Sequence, residues 1–160
     1  MIFYYSQDGK TEIFASAIGK YFNQNTYKLT SPLNKKSGIG FILVALATAF
    51  SGKPGKGSKV DNMPAEVNAP EIYLCAPIWG GNIAAPAKYF LQHAKLHNIK
   101  VNLALTATMP SQKYKTNAEK LLKSTQCIPG NVYVFATNSK IIPEEDVLIQ
   151  QLPELIKTEH

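Results

Sequence analysis

Short apolar runs alternate with helical patterns along this chain of 160 residues, and this alternation constrains the fold more than any other feature. Five runs have the length and composition of buried strands, and they cover residues 2–5, 27–30, 71–76, 101–105 and 132–136. Apolar residues at helical spacing follow every run except the second, over about 11–23, 86–94, 114–125 and from 143 onward. Strands that alternate with helices favour a parallel sheet. We therefore predict an α/β fold, a three-layer α/β/α sandwich with a five-stranded parallel sheet.

Composition is typical of one ordered domain. The chain is 45% hydrophobic and 18% charged, which suits a protein with a single packed core. No apolar run reaches the roughly 18 residues that cross a bilayer, and the first residues do not resemble a secretory signal. We expect one domain over residues 1–160, no transmembrane segment and a cytoplasmic location.

An insertion of residues 31–70 separates the second strand from the third. Its centre, Gly38 to Phe50, carries no charge. One interpretation is a helix buried against the sheet. The other is a partly exposed helix that packs on a partner, on a second subunit to give a homodimer, or on a membrane surface.

The last helical pattern begins at Pro143, with acidic residues in its first turn. Negative charge at that end is favourable, because it complements the helix dipole. Pro153 lies inside the same pattern, and an internal proline should break or kink the helix.

The net charge of +6 is carried by lysine alone, since the chain has no arginine. Arginine supplies the planar fork that reads guanine, so specific nucleic-acid binding is disfavoured. Residues 13–60 contain lysines and no acid. That stretch either attracts an acidic partner, anionic lipid or RNA, or keeps the chain soluble.

Cysteine and histidine give no sign of a metal site or a disulfide framework. Cys75 and Cys127 lie far apart in the sequence, and small buried hydrophobes are their expected role. No hydroxyl is accompanied by a histidine in a way that suggests a hydrolase triad. We name no catalytic residue and no metal ligand.

The loop after the first strand has the composition of an anion site. It combines hydroxyls, a glycine and a lysine at the start of a helix, where unpaired backbone amides and the helix dipole favour negative charge. The loop is too short for the nucleotide-binding P-loop pattern, so a phosphate monoester fits it better than a triphosphate. The residues concerned are Ser6, Gln7, Asp8, Gly9, Lys10 and Thr11.

Two further loops follow the third and fourth predicted strands, and in a parallel sheet they share an edge with the first. One holds the only tryptophan of the chain next to two glycines, which permit close approach of a flat ligand. Its residues are Pro77, Ile78, Trp79, Gly80, Gly81 and Asn82. The other is small and polar and begins with Thr106, Ala107 and Thr108.

Two motifs resemble the flavodoxin-like family. Y-Y-S-Q-D-G-K-T, residues 4–11, is similar to the phosphate loop of that family, and A-P-I-W-G-G-N, residues 76–82, is similar to its flavin-ring loop. The resemblance implies strand order 2-1-3-4-5 and an FMN site where the strand order reverses. It also implies that residues 6–11 hold the phosphate and that Trp79 lies against the flavin ring. Asp8 departs from the family, which usually has Ser or Thr there.

The resemblance implies non-covalent FMN binding and electron transfer with a redox partner protein or a small-molecule electron acceptor. Two alternatives stay open. The chain is an FMN-dependent reductase that passes hydride from NAD(P)H to a quinone-type acceptor, or it is a flavin-free module on the same fold that works by binding.

Overall fold

The computed structural model describes residues 1–35, 58–137 and 144–157. Within them the strands are β1 (Ile2–Tyr4), β2 (Thr26–Lys28), β3 (Glu71–Trp79), β4 (Asn82–Ile83), β5 (Lys100–Ala107) and β6 (Ile128–Ala136). The α-helices are α1 (Lys10–Tyr21), α2 (Ala85–His93), α3 (Gln112–Lys123) and α4 (Glu145–Lys157), and a short 3-10 helix covers Pro32–Lys35.

Four parallel pairings join five of the strands, in the order β2-β1-β3-β5-β6. Strand β4 is outside this path and pairs antiparallel with β3 as a hairpin. The predicted order 2-1-3-4-5 is confirmed when the parallel strands are counted along the chain. The sequence did not predict β4.

Helices cover both faces of the sheet, as predicted. On one face, α1 and α4 pack on alternate strand residues, and this cluster includes Ile2, Phe14, Cys75, Phe135 and Leu148. On the other face, α2 and α3 pack on the intervening residues, and that cluster includes Phe3, Leu74, Phe90, Leu103 and Leu122. Neighbouring residues of β1 and β3 belong to opposite clusters, which is the period-two pattern of a sheet buried on both sides.

Helix α4 continues through Pro153, so the expected break at that residue is wrong. Proline has no N–H to donate to the carbonyl four residues earlier, and this costs about 3 kcal/mol in a helix interior. Leu148, Leu152 and Ile156 recur at four-residue spacing and pack with α1 in the same cluster. Burial of this stripe holds the helix together across the lost hydrogen bond. A kink at Pro153 stays a prediction.

The insertion is described only at its ends. Val60 and Val67 are buried in the cluster beneath α2 and α3, and Asp61 donates its N–H to the Thr30 carbonyl at 2.8 Å. Gly38 to Phe50 lies outside the described residues, so both interpretations of that segment stay predictions. None of the described helices is long and apolar enough to span a bilayer.

Helix α4 supplies a paired test of how the α1–α4 layer stabilises the fold. Leu148 is 2% exposed, whereas its neighbour Val147 is 42% exposed. We expect Leu148→Ala to lower the free energy of unfolding by about 2–5 kcal/mol, because it leaves a cavity in the core. Val147→Ala should change it by about 0.5 kcal/mol or less. Urea unfolding of both variants measures the difference, and equal losses would contradict the packing of α4 described above.

Candidate ligand site at the carboxyl edge of the sheet

Three parallel strands end at the same edge and bring their loops together. Tyr4 of β1 is opposite Cys75 of β3, and Pro77 of β3 is opposite Thr106 of β5. Tyr5 extends this pairing by donating its N–H to the Cys75 carbonyl at 3.0 Å. The chain crosses to opposite sides after β1 and β3, and in open α/β sheets ligands bind in the crevice at such a reversal.

The loop after β1 is a tight turn into α1, held by its own side chains. The buried Ser6 accepts the Gly9 N–H on Oγ at 3.1 Å. Gly9 has φ of 87°, a left-handed conformation that favours glycine, and it stands immediately before the helix. A Cβ built on Gly9 meets no described atom within 4 Å. The space above this turn is therefore open, at the positive end of α1.

Asp8 is a negative group of the chain itself at this helix end. Its Oδ1 accepts the Lys10 N–H at 3.2 Å, and its Oδ2 lies 3.6 Å from the Lys10 Nζ. The Asp8 side chain is 58% exposed, so this ion pair adds little stability. The Lys10 backbone amide is nevertheless already bonded to a carboxylate of the chain itself.

A buried hydroxyl pair joins the first loop to the third. Thr11 and Thr106 place their Oγ1 atoms 2.8 Å apart, and both side chains are buried. The Thr11 hydroxyl is thus turned towards β5 and not towards the open space above Gly9. Thr106 lies in β5, and it fixes the start of α1 against the end of that strand.

The glycine pair predicted to approach a ligand forms a two-residue hairpin turn. Trp79 is opposite Asn82, with only Gly80 and Gly81 between them. These glycines have φ of 56° and 85°, and positive φ at both central positions is the mark of a type I′ turn. A side chain at either position would strain the backbone. The hairpin carries Trp79 out to the rim of the edge.

Trp79 lies beside the first loop through an aromatic contact with Tyr5. The ring centroids are 5.6 Å apart and the planes are nearly perpendicular, at 82°. Burial raises the pKa of Tyr5 well above its usual value, so its hydroxyl keeps the proton that it donates to Gln7 Oε1 at 2.9 Å. Gln7 in turn donates to the Leu33 carbonyl at 3.3 Å. These contacts hold the Trp79 indole next to the first loop. The sequence alone had only suggested that the two lie close together.

Helix α3 supports the hairpin from the other side, and Asn117 was not among the residues predicted for the site. Asn117 donates from Nδ2 to the Gly81 carbonyl at 3.1 Å. A Cβ on Gly81 would lie 3.6 Å from Cε1 of Tyr114. Both residues are distant in the sequence from Gly81, so no local motif signals the contact.

The remaining residues predicted for the site differ in their exposure to solvent. Pro77 and Ile78 are half-buried in β3, Asn82 is exposed in β4, Ala107 is buried at the end of β5, and Thr108 is exposed after it. The edge thus brings together the first loop, the hairpin and Thr106. Thr108 and the residues after it form an exposed loop. Among the described residues, this loop shows no contact with the first loop or with the hairpin.

Structural comparison identifies the architecture. A candidate flavoprotein from Bacteroides uniformis ATCC 8492 aligns with a TM-score of 0.68 and 12% identity, over 96% of this chain and 96% of that chain. The chain has a flavodoxin-like fold. A flavodoxin from Streptococcus pneumonia TIGR4 aligns with a TM-score of 0.51 and 14% identity, over 98% and 97% of the two chains.

A third flavodoxin-like structure is a flavoprotein from Lactobacillus acidophilus NCFM, solved in complex with FMN. It aligns with a TM-score of 0.61 and 19% identity, over 83% of this chain and 90% of that chain. No protein-family model matches the sequence, and no curated protein matches it. The flavodoxin-like fold is therefore established by the shape of the chain.

The buried hydroxyl pair gives a test of how the edge is held together. Replacing Thr11 or Thr106 singly with Val, a residue of similar shape, leaves the other hydroxyl buried without its partner. We expect each single variant to lower the free energy of unfolding by about 1–3 kcal/mol. The double variant should lose clearly less than the two losses added, because it removes both groups. Denaturant unfolding of the four proteins measures this coupling, and additive losses would contradict a direct Thr11–Thr106 bond.

Proposed function

We propose that the chain binds FMN without a covalent bond at the carboxyl edge and acts in electron transfer. The observation that carries the proposal is the adjacency of the first loop to Trp79, through the Tyr5 contact, where the strand order reverses. The flavodoxin-like fold supports it, and so does the FMN complex of the Lactobacillus acidophilus protein.

The residues present fit the two ends of FMN. The first turn of α1 offers backbone amides and Lys10 to a phosphate, and the open space above Gly9 leaves room for it. Trp79 is half-buried, so one part of the indole is fixed while another stays accessible. The carboxylate of Asp8 is unfavourable for a phosphate at this turn.

When bound, FMN would supply redox chemistry in one- or two-electron steps. The protein's part is to hold and shield it. Lys10 and the helix dipole would balance the phosphate charge. Trp79 would offer an apolar face to the ring and exclude water from that side. The Gly80–Gly81 turn would let the backbone approach the ring closely, with Asn117 holding the Gly81 carbonyl in place.

Titration with FMN tests the proposal, because Trp79 is the only tryptophan. We expect tryptophan and flavin fluorescence to fall together and to saturate at one FMN per chain. Absence of both changes would overturn the proposal and favour the flavin-free binding module. Addition of NAD(P)H and a quinone to the loaded protein then separates the reductase from the electron carrier. Rapid oxidation of the nicotinamide without a partner protein would identify a reductase.

Substitution of Asp8 is the most direct single test of where the phosphate of FMN binds. Its carboxylate competes with a phosphate for the Lys10 amide and repels it by about 1 kcal/mol at 4 Å even in water. We therefore expect Asp8→Thr to bind FMN about fivefold or more tightly than the parent protein.

Asp146→Thr is the matched control, because Asp146 is also exposed and lies near Lys20, at the opposite end of α1 from the first loop. It makes the same change of charge and should leave the FMN affinity within about twofold. Equal or weaker binding by Asp8→Thr would count against placing the phosphate at this loop.

A further inference from the structure

Helix α3 presents a row of lysines to solvent. It contains four lysines and one acid, Glu119. At 100° per residue, Lys113, Lys120 and Lys123 fall within about 80° of one another, and all three are exposed. None of them forms an ion pair with a described residue. We call Lys113, Lys120 and Lys123 the α3 lysine row.

Several other lysines are neutralised by a carboxylate within the chain. Lys20 pairs with Glu145 and Lys28 with Glu12, at 2.5 and 2.8 Å. These two lysines belong to the acid-free stretch of residues 13–60, which the sequence had suggested as a surface for an acidic partner. In the described part of that stretch, carboxylates thus balance part of the lysine charge. No described carboxylate pairs with the α3 lysine row.

A cleft of about 240 Å³ lies between α2 and α3 and adds to this surface. Lys88 of α2 and Lys120 of α3 both line it, together with the polar side chains of Asn82, Asn117 and Ser124. The two lysines at this cleft are positively charged, which suits a carboxylate-bearing ligand. It borders the hairpin, because Asn82 belongs to the hairpin and Asn117 bonds to the Gly81 carbonyl.

We propose that the α3 lysine row and the adjoining cleft form a docking surface for an acidic protein partner. The row extends over ten residues of helix, about 15 Å. This length exceeds any single small anion and suits a protein surface that carries several carboxylates. The lack of arginine, and of an exposed aromatic side chain in the row, disfavours RNA, which is bound by stacking as well as by charge.

The position of this surface links it to the candidate site. Asn117 of α3 bonds to Gly81 of the hairpin, and Tyr114 lies beside the same glycine, so a partner on α3 lies against the rim that carries Trp79. An acidic protein docked there would sit next to the flavin and exchange electrons over a short distance. This redox role of the partner rests on the proposed function, whereas the docking itself rests on the charge and shape of α3.

Binding of a fluorescein-labelled oligoglutamate peptide to the whole chain tests the docking surface. The peptide stands in for the acidic partner, and anisotropy reports its binding. We expect binding at about 0.01 M salt, where charges act over about 30 Å, and loss of binding at about 1 M. Lys113→Glu and Lys120→Glu should each weaken it about fivefold or more, since a favourable charge becomes repulsive.

Lys59→Glu is the matched control. Lys59 is exposed and lies near the β2 side of the sheet, where Asp61 bonds to Thr30. We expect it to weaken peptide binding by less than about twofold. An equal loss in all three variants would show attraction by net charge alone and would overturn the proposal. Lys120→Gln, which removes charge without reversing it, should give an intermediate affinity if the folded helix itself does the binding.

Two competitors decide the nature of the partner. Inorganic phosphate at matched ionic strength should not displace the peptide; displacement would indicate a small-anion site and overturn a protein surface. Oligouridylate of equal charge should bind more weakly than the peptide, and tighter binding that Lys113→Glu abolishes would indicate RNA instead. FMN titration of the same variants keeps the two claims apart, because neither lysine lies in the candidate flavin site. Selective docking without FMN binding would support the surface and overturn only its redox role.

Discussion

Strand β1 is hydrogen-bonded on both sides, to β2 and to β3, and the rest of the molecule depends on this position. Its side chains are buried on both faces, because the connections from β1 and β3 lead to helices on opposite sides of the sheet. In open α/β sheets, ligands bind in the crevice at such a reversal. The first loop and the tryptophan hairpin meet at this edge because the sheet has this topology, although they are about seventy residues apart in the chain.

Most of the polar side chains at the edge are already engaged with one another. Ser6 satisfies the Gly9 amide, Asp8 satisfies the Lys10 amide, and Thr11 bonds to Thr106. Such a network fixes the turn before any ligand arrives, so less freedom is lost on binding. Asp8 would have the opposite effect on the proposed FMN site, because a phosphate bound there would have to displace its carboxylate.

The strands and helices were predictable wherever apolar residues decide the structure. Continuous apolar runs predicted β1, β3 and β5, as a sheet buried on both sides requires. Apolar residues at helical spacing predicted the four helices. β6 begins earlier than predicted, at Ile128, because Pro129 and Gly130 interrupt its apolar pattern although the backbone still pairs with β5. The hairpin could have been predicted from Gly80–Gly81, since a two-residue glycine turn is a strong local signal.

Other features depend on contacts between distant residues and have no local signal. Pro153 is tolerated because α4 packs on α1, which the sequence of α4 alone cannot show. The Thr11–Thr106 bond, the Asn117–Gly81 bond and the Tyr5–Trp79 contact each join separate loops or helices. The sequence supplied the residues of the candidate site, and only the packed sheet brings them to one edge.

In the proposed complex, one FMN molecule spans the first loop and the hairpin. Amide NMR spectra of the ¹⁵N-labelled chain, recorded with increasing FMN, test this directly. We predict that the largest shifts fall on the amides of Gln7 to Thr11, on those of Gly80 to Asn82 and on the Trp79 indole N–H. Shifts at one of the two segments alone, or only at residues remote from both, would contradict the claim.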